Sequence, residues 1–222
     1  MLGDSTGPQS DSSTTLTACA GSPGRRSLPL LGHEVVRERA DAVRNRRKVL
    51  DAAAALYRER CVDAVSMDDI AVAAGVGKGT LYRRFGDKSA LAAALLDERE
   101  RELQGALLGG PPPLGPGAAP DERLAAFAGA YLRYVAGHAD LVALSQTASP
   151  GARLRTGAHR FWRQHCAYLL EQAGVADPRV RADILLAGLS AEQVRHWLQQ
   201  DHQPVEQIAD AVTRLARDLC RT

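Results

Sequence analysis

The stretch SMDDIAVAAGVGKGTLYRRF, residues 66–85, holds two short helical patterns separated by a glycine. Ser66 followed by Asp69 is a helix start signal. A serine hydroxyl there can accept the third backbone N–H while the carboxylate reaches back to the cap. The spacing predicts a helix from this cap to Ala74. Gly75 interrupts it, because glycine enters the left-handed region without a Cβ penalty. A second helix is expected from about Gly77 to Phe85. Ile70, Ala71, Ala74, Val76, Leu81 and Phe85 fall where they can close on one another, and the small Ala71 and Ala74 permit a close crossing. This is the pattern of a helix-turn-helix. Such a unit presents its second helix to the major groove of DNA, the groove wide enough to admit one. With Leu81 and Phe85 inward, Lys78, Thr80, Tyr82, Arg83 and Arg84 share the outer surface.

Outward from this core, Val43, Arg47, Leu50, Ala54 and Tyr57 recur at three- and four-residue steps, as do Val49, Ala53 and Leu56. An amphipathic helix over roughly 40–60 follows. Asp87 is the expected cap of a further helix through Glu102. Residues 105–120, GALLGGPPPLGPGAAP, read as a Gly/Pro-rich loop that no helix crosses. Beyond it helices are expected near 121–138, 139–147, 151–174, 178–200 and 204–220. Residues 1–36, rich in Ser, Thr, Gly and Pro, read as a disordered extension. The expected organisation is therefore all-α. A three-helix DNA-binding domain occupies 37–86 and a connecting helix 87–104. The loop covers 105–120, and a helical bundle for ligand binding and dimerisation covers 121–222.

The composition narrows the class. Of 222 residues, 45% are hydrophobic and 5% aromatic, enough for a core. The net charge is +2, yet residues 37–88 hold twelve Lys/Arg against eight Asp/Glu, a local +4 beside the helix-turn-helix. A basic concentration of this kind suits a phosphate-binding module. The four cysteines are widely spaced, which argues against a zinc site or disulfide framework and fits a reducing cytoplasm. No basic segment followed by an apolar core opens the chain, and no membrane-length apolar run occurs, so neither signal peptide nor membrane partner is expected. There is no nucleophile elbow, phosphate loop, catalytic carboxylate pair or metal spacing. No enzyme, catalytic residue, metal or cofactor is therefore read.

The run from Arg47 to Leu95 resembles the N-terminal DNA-binding domain of the TetR family. The matching features are Leu56-Tyr57, Ser66-Met67-Asp68-Asp69-Ile70-Ala71, Ala74-Gly75-Val76, Gly79-Thr80-Leu81-Tyr82, then Phe85, Lys88 and Leu91. The resemblance implies a cytoplasmic transcriptional regulator, expected to be a repressor. It would bind a palindromic operator in double-stranded DNA as a homodimer and be released by a small-molecule effector. Ser66, Tyr82 and Lys88 then look like phosphate contacts, and Thr80 like a phosphate or thymine-methyl contact. Lys78 is the candidate for a base edge, with Arg83 beside it. Arg44 and Arg46 are candidates for phosphate or the minor groove. Other readings stay open: Ser66 as a plain cap, Tyr82 as a packing residue, Arg83 and Arg84 as solvated charge. Cys61 departs from the family, which has glycine there. A left-handed backbone at that point would cost about 1 kcal/mol.

In this family the C-terminal helices form an effector pocket and a dimer interface. Phe127, Tyr131, Tyr134, Phe161, Trp162 and Tyr168 supply aromatic surface, and His138, Gln146, His159 and His165 supply polar groups. Phe127, Tyr131, Tyr134, Gln146, Phe161, Trp162 and His165 form the expected pocket, with burial in the core as the alternative. The heptad-like seam Val205, Ile208, Val212, Leu215 and Leu219, joined by Trp197, is the expected dimer face. Its alternative is packing within its own bundle. The competing function is an architectural, non-specific DNA-binding protein without an effector.

Overall fold

Helix start and stop signals set the architecture of the computed structural model, which describes residues 31–146, 151, 154 and 156–221, with side chains from Asp41 onward. Among the described residues there are ten α-helices and no strand: α1 Leu31–Glu59, α2 Met67–Ala74, α3 Lys78–Phe85, α4 Lys88–Gly109, α5 Pro120–Gly137, α6 Ala139–Ser145, α7 Gly157–Gln172, α8 Pro178–Gly188, α9 Ala191–Gln199 and α10 Val205–Asp218. The protein is all-α. Residues from Asp41 onward fold as one unit.

Several starts are fixed by side-chain caps. Ser66 and Asp69 form a full capping box at α2, and the Asp87 carboxylate accepts the Ala90 N–H at α4. Thr156 caps α7 and Ser190 caps α9. At α5 and α8 proline occupies the first turn, where no N–H is needed.

Two hydrophobic clusters organise these helices. The smaller joins Val49 and Ala53 of α1, Val65, Ile70 and Ala71 around α2, Leu81 and Phe85 of α3 and Leu91 of α4. The larger is built on α5, whose Leu124, Phe127, Ala128, Leu132 and Val135 are buried against the remaining bundle. α4 belongs to both, through Leu91 at its start and Leu96 and Leu107 further along. α10 lies along α5 so closely that a Cβ on Gly129 would meet the Thr213 hydroxyl at 3.1 Å.

The structure corrects several boundaries. α1 begins at Leu31, so residues 31–36 are helical rather than disordered; the rest of the expected extension lies outside the described residues. Val43, placed on the apolar stripe, is 66% exposed. α4 runs through Gly105 to Gly109, because Leu107 is fully buried and its packing outweighs the cost of about 1 kcal/mol for a mid-helix glycine. The single helix expected over 178–200 is two: Ser190 takes an extended conformation and its hydroxyl accepts the Gln193 N–H, starting α9 afresh. Cys61 has φ −54°, so its Cβ carries no left-handed strain.

Candidate DNA-binding face and bundle cavity

The tight turn between α2 and α3 depends on one residue. Gly75 sits at φ +63°, the left-handed C-cap, and the Val76 N–H returns to the Ala71 carbonyl at 3.0 Å. α3 is thereby crossed over α2 with Leu81 and Phe85 buried. Lys78, at the first turn, and Thr80, Tyr82, Arg83 and Arg84 are exposed, Tyr82 by 42%. The side chains of Thr80, Tyr82, Arg83 and Arg84 have no hydrogen-bond or ion-pair partner among the described residues.

Ser66 is also exposed, at the N-terminus of α2. Its Oγ accepts the Asp69 N–H at 3.1 Å and donates to Asp69 Oδ2 at 2.7 Å, and its own N–H donates to Oδ2 at 2.9 Å. These bonds hold the Asp69 carboxyl below its usual range. Lys78 donates to Asp68 Oδ2 at 2.6 Å, which raises its pKa. The pair is exposed, so a phosphate or guanine edge can compete for it.

Three further candidates have partners within the chain. Arg46 turns away from the exposed side of α3: its guanidinium sits 5.5 Å from the Phe85 ring centroid and donates to Asp97 of α4 at 3.3 Å. Phe85 must be backed by something flat, and a guanidinium stacks well on an aromatic face. Lys88 is half-buried and donates to the Val62 carbonyl at 2.5 Å, tying the start of α4 to the turn after α1. Arg44 pairs with Asp41 one helical turn earlier. Sequence reasoning passed over Val72 of α2, which is 83% exposed. Its signal was present, since it projects opposite Ile70 and Ala71.

Within the bundle, four of the seven expected pocket residues gather at one cavity. Tyr131, Tyr134, Gln146 and Trp162 line a space of about 250 Å³, together with Asp97, Glu100, Ser145, Thr156 and His159. Phe127, Phe161 and His165 do not line it. Phe127 is completely buried, stacked on Tyr131 at 5.5 Å, and His165 is packed between Phe127 and Phe161. Burial, with Arg123 nearby, pushes the His165 pKa down to about 4. The cavity also holds groups that sequence reasoning missed. Glu100 accepts from the Tyr134 hydroxyl at 3.0 Å, and burial raises its pKa. A glutamate in a charged helical run reads as solvated, so its burial was not legible.

The expected dimer seam divides. Ile208 and Val212 are buried in the bundle, which takes them out of any face for a partner helix. Trp197 and Leu219 are half-buried against the same core, and Val205 is half-buried. Leu215 is 53% exposed. Among the described residues no group of three His, Cys, Asp or Glu could hold a metal, and no helix is long and apolar enough to cross a membrane.

The exposed α3 face set on an α1–α2 scaffold has counterparts among known proteins. Residues 49–95 match the family described as bacterial regulatory proteins, tetR family. These residues are a tetR-family domain. An HTH-type transcriptional regulator of Staphylococcus aureus is 47% identical to the chain over 53 residues, 24% of this chain and 29% of that protein. The likeness to such curated relatives thus spans less than a third of their length. Over longer spans the chain is similar to a TetR-like transcriptional regulator from Rhodococcus sp. RHA1. That pair is 25% identical with a TM-score of 0.55, covering 80% of this chain and 97% of the other. The TetR family regulator PfmR from Thermus thermophilus is likewise 25% identical, with a TM-score of 0.53 over 77% of this chain and 97% of its own. The fatty acid degradation regulator FadR from Bacillus halodurans shares the fold at 19% identity and a TM-score of 0.58, over 77% and 93%. The tetR-family domain therefore coincides with the small hydrophobic cluster, and the structural likeness continues into the bundle.

Proposed function

We propose that the protein is a DNA-binding transcriptional regulator, a repressor that grips a palindromic operator as a homodimer and lets go when a small molecule enters the bundle. The observation that carries this reading is the exposed side of α3, backed by a buried Leu81 and Phe85. In the major groove Lys78 donates to a base edge, while Thr80, Tyr82, Arg83 and the Ser66 hydroxyl contact phosphates.

One such unit binds weakly, and two related by a dyad read half-sites about 34 Å apart. The apolar side chains left exposed on the last helices support a dimer: Val180 and Ile184 of α8 and Leu215 of α10. Arg181 donates to the carbonyls of Leu219 and Arg221, which holds the start of α8 against the end of α10. α4 links the two regions. Its Leu91 packs in the DNA-binding cluster, while its Asp97 and Glu100 line the cavity. A ligand that replaces the Tyr134–Glu100 bond favours one placement of α4, and with it one placement of α3. At about 250 Å³ the cavity fits a compact effector. An operator on the chromosome places the protein in the cytoplasm.

Selection from a random duplex library, followed by affinity measurement across salt, tests the reading. Enrichment of a two-half-site palindrome is expected. Binding that follows salt alone with no enriched sequence overturns it and favours an architectural DNA-binding protein.

A further inference from the structure

A second cleft of about 640 Å³ opens where α1, α4, α6 and α9 meet, and it shares no lining residue with the bundle cavity. Its volume falls in the range that holds drug-sized ligands. Leu95 and Leu198 give it apolar wall. Three guanidinium groups line it as well, Arg58 of α1, Arg99 of α4 and Arg195 of α9, against one carboxylate, Asp140.

The charges are not cancelled within the cleft. Arg195 Nε faces Asp140 at 3.3 Å, and Arg99 Nη1 donates to Glu102 at 2.8 Å. Each guanidinium offers five donors, so both pairs leave donors free. Arg58 has no ion pair among the described residues. Tyr57 also lines the cleft, while its hydroxyl oxygen is shut off from solvent and has no hydrogen-bond partner among the described residues. Burial pushes that phenol up to about 12, so it stays protonated.

We infer that this cleft binds an amphipathic organic anion, its carboxylate or phosphate held by Arg58, Arg99 and Arg195, its apolar part against Leu95 and Leu198. A cation has no counterpart there, since Asp140 is already engaged. Arg–carboxylate and Arg–phosphate pairs are the strong, oriented class of hydrogen bond. The site is separate from the effector cavity proposed above. Because α1 carries Tyr57 and Arg58, an occupant touches the DNA-binding scaffold directly.

Isothermal titration of the full-length protein with octanoate, octyl phosphate and octylammonium, each below its aggregation concentration, tests this. Saturable binding of one anion per chain is expected, at least ten-fold tighter than any binding of octylammonium; the tighter of the two anions names the head group. Arg58→Gln breaks no ion pair, so the melting temperature holds while anion affinity falls about five-fold. Arg99→Gln lowers affinity further, and Glu100→Gln, in the other cavity, leaves it unchanged. Equal binding of octylammonium, no saturable anion binding, or anion affinity indifferent to both Arg58→Gln and Arg99→Gln overturns the inference. Operator binding by the same preparations is read without ligand, so its failure is separate.

Discussion

Replacing Ser66 separates two roles that one hydroxyl fills in the same geometry. Ser66→Ala removes the oxygen that accepts the Asp69 N–H at 3.1 Å and donates to its carboxylate at 2.7 Å, leaving only the backbone half of the capping box. Loss of such a cap costs about 1 kcal/mol. For a chain of this length that lowers the melting temperature by about 2–4 °C. If the hydroxyl also holds a phosphate, operator affinity falls by about ten-fold, equivalent to about 1.4 kcal/mol. Ser66→Asp distinguishes the roles. Aspartate can still accept the Asp69 N–H and suits the positive end of α2, but it faces the Asp69 carboxylate to which Ser66 donates, so thermal stability should fall no further than in the alanine variant. The same carboxylate faces a DNA phosphate, so operator affinity should fall at least as far as in the alanine variant. Thermal unfolding and fluorescence anisotropy on one operator duplex measure both. A Ser66→Asp protein that keeps its operator affinity would refute the phosphate role and leave Ser66 as a cap alone.

The salt dependence of operator affinity separates the arginines. Arg83→Ala should lower the slope of log K against log salt by about 0.9 per half-site, as expected for one phosphate contact. Arg46→Ala should leave the slope unchanged, because that guanidinium lies between Phe85 and Asp97. Gly75→Ala should destabilise by about 1 kcal/mol in urea unfolding; φ is +63° and no atom lies within 4 Å of the added Cβ, so the cost is conformational and not steric. His165 titrates at about 4 in the folded chain and at about 6.5 when unfolded. The unfolded state binds the extra proton, so stability rises with pH between these values and is lost as pH falls from 6.5 towards 4. His165→Gln should flatten that window in pH-dependent melting; an unaltered profile would show that another group controls it.

The DNA-binding unit was readable because its determinants lie within a few residues of one another. The capping box of Ser66 and Asp69, the left-handed Gly75 and the Asp87 cap are local chemistry. A 3.6-residue period sufficed to send Leu81 and Phe85 inward and leave Thr80, Tyr82 and Arg83 outside. The same period was ambiguous for the bundle. It grouped Phe127 with Tyr131 and Tyr134, though Phe127 is wholly buried and the two tyrosines border the cavity. It ran α8 and α9 together, because the break at Ser190 interrupts no hydrophobic pattern.

What the residues determine unaided in this protein is where helices begin, where they end and which stripe of each is apolar, since those depend on backbone hydrogen bonds and neighbours one turn away. Which surface each stripe meets was settled only by tertiary packing. Arg46 gains the Phe85 face and Asp97, which lies 51 residues on, and Lys88 gains the Val62 carbonyl 26 residues back. Ile208 and Val212 are covered by their own bundle rather than by a partner helix. Glu100 and Tyr57 acquire buried polar atoms from helices far away in the chain. Charge and polarity are written in the residues, but desolvation depends on everything that surrounds them in space.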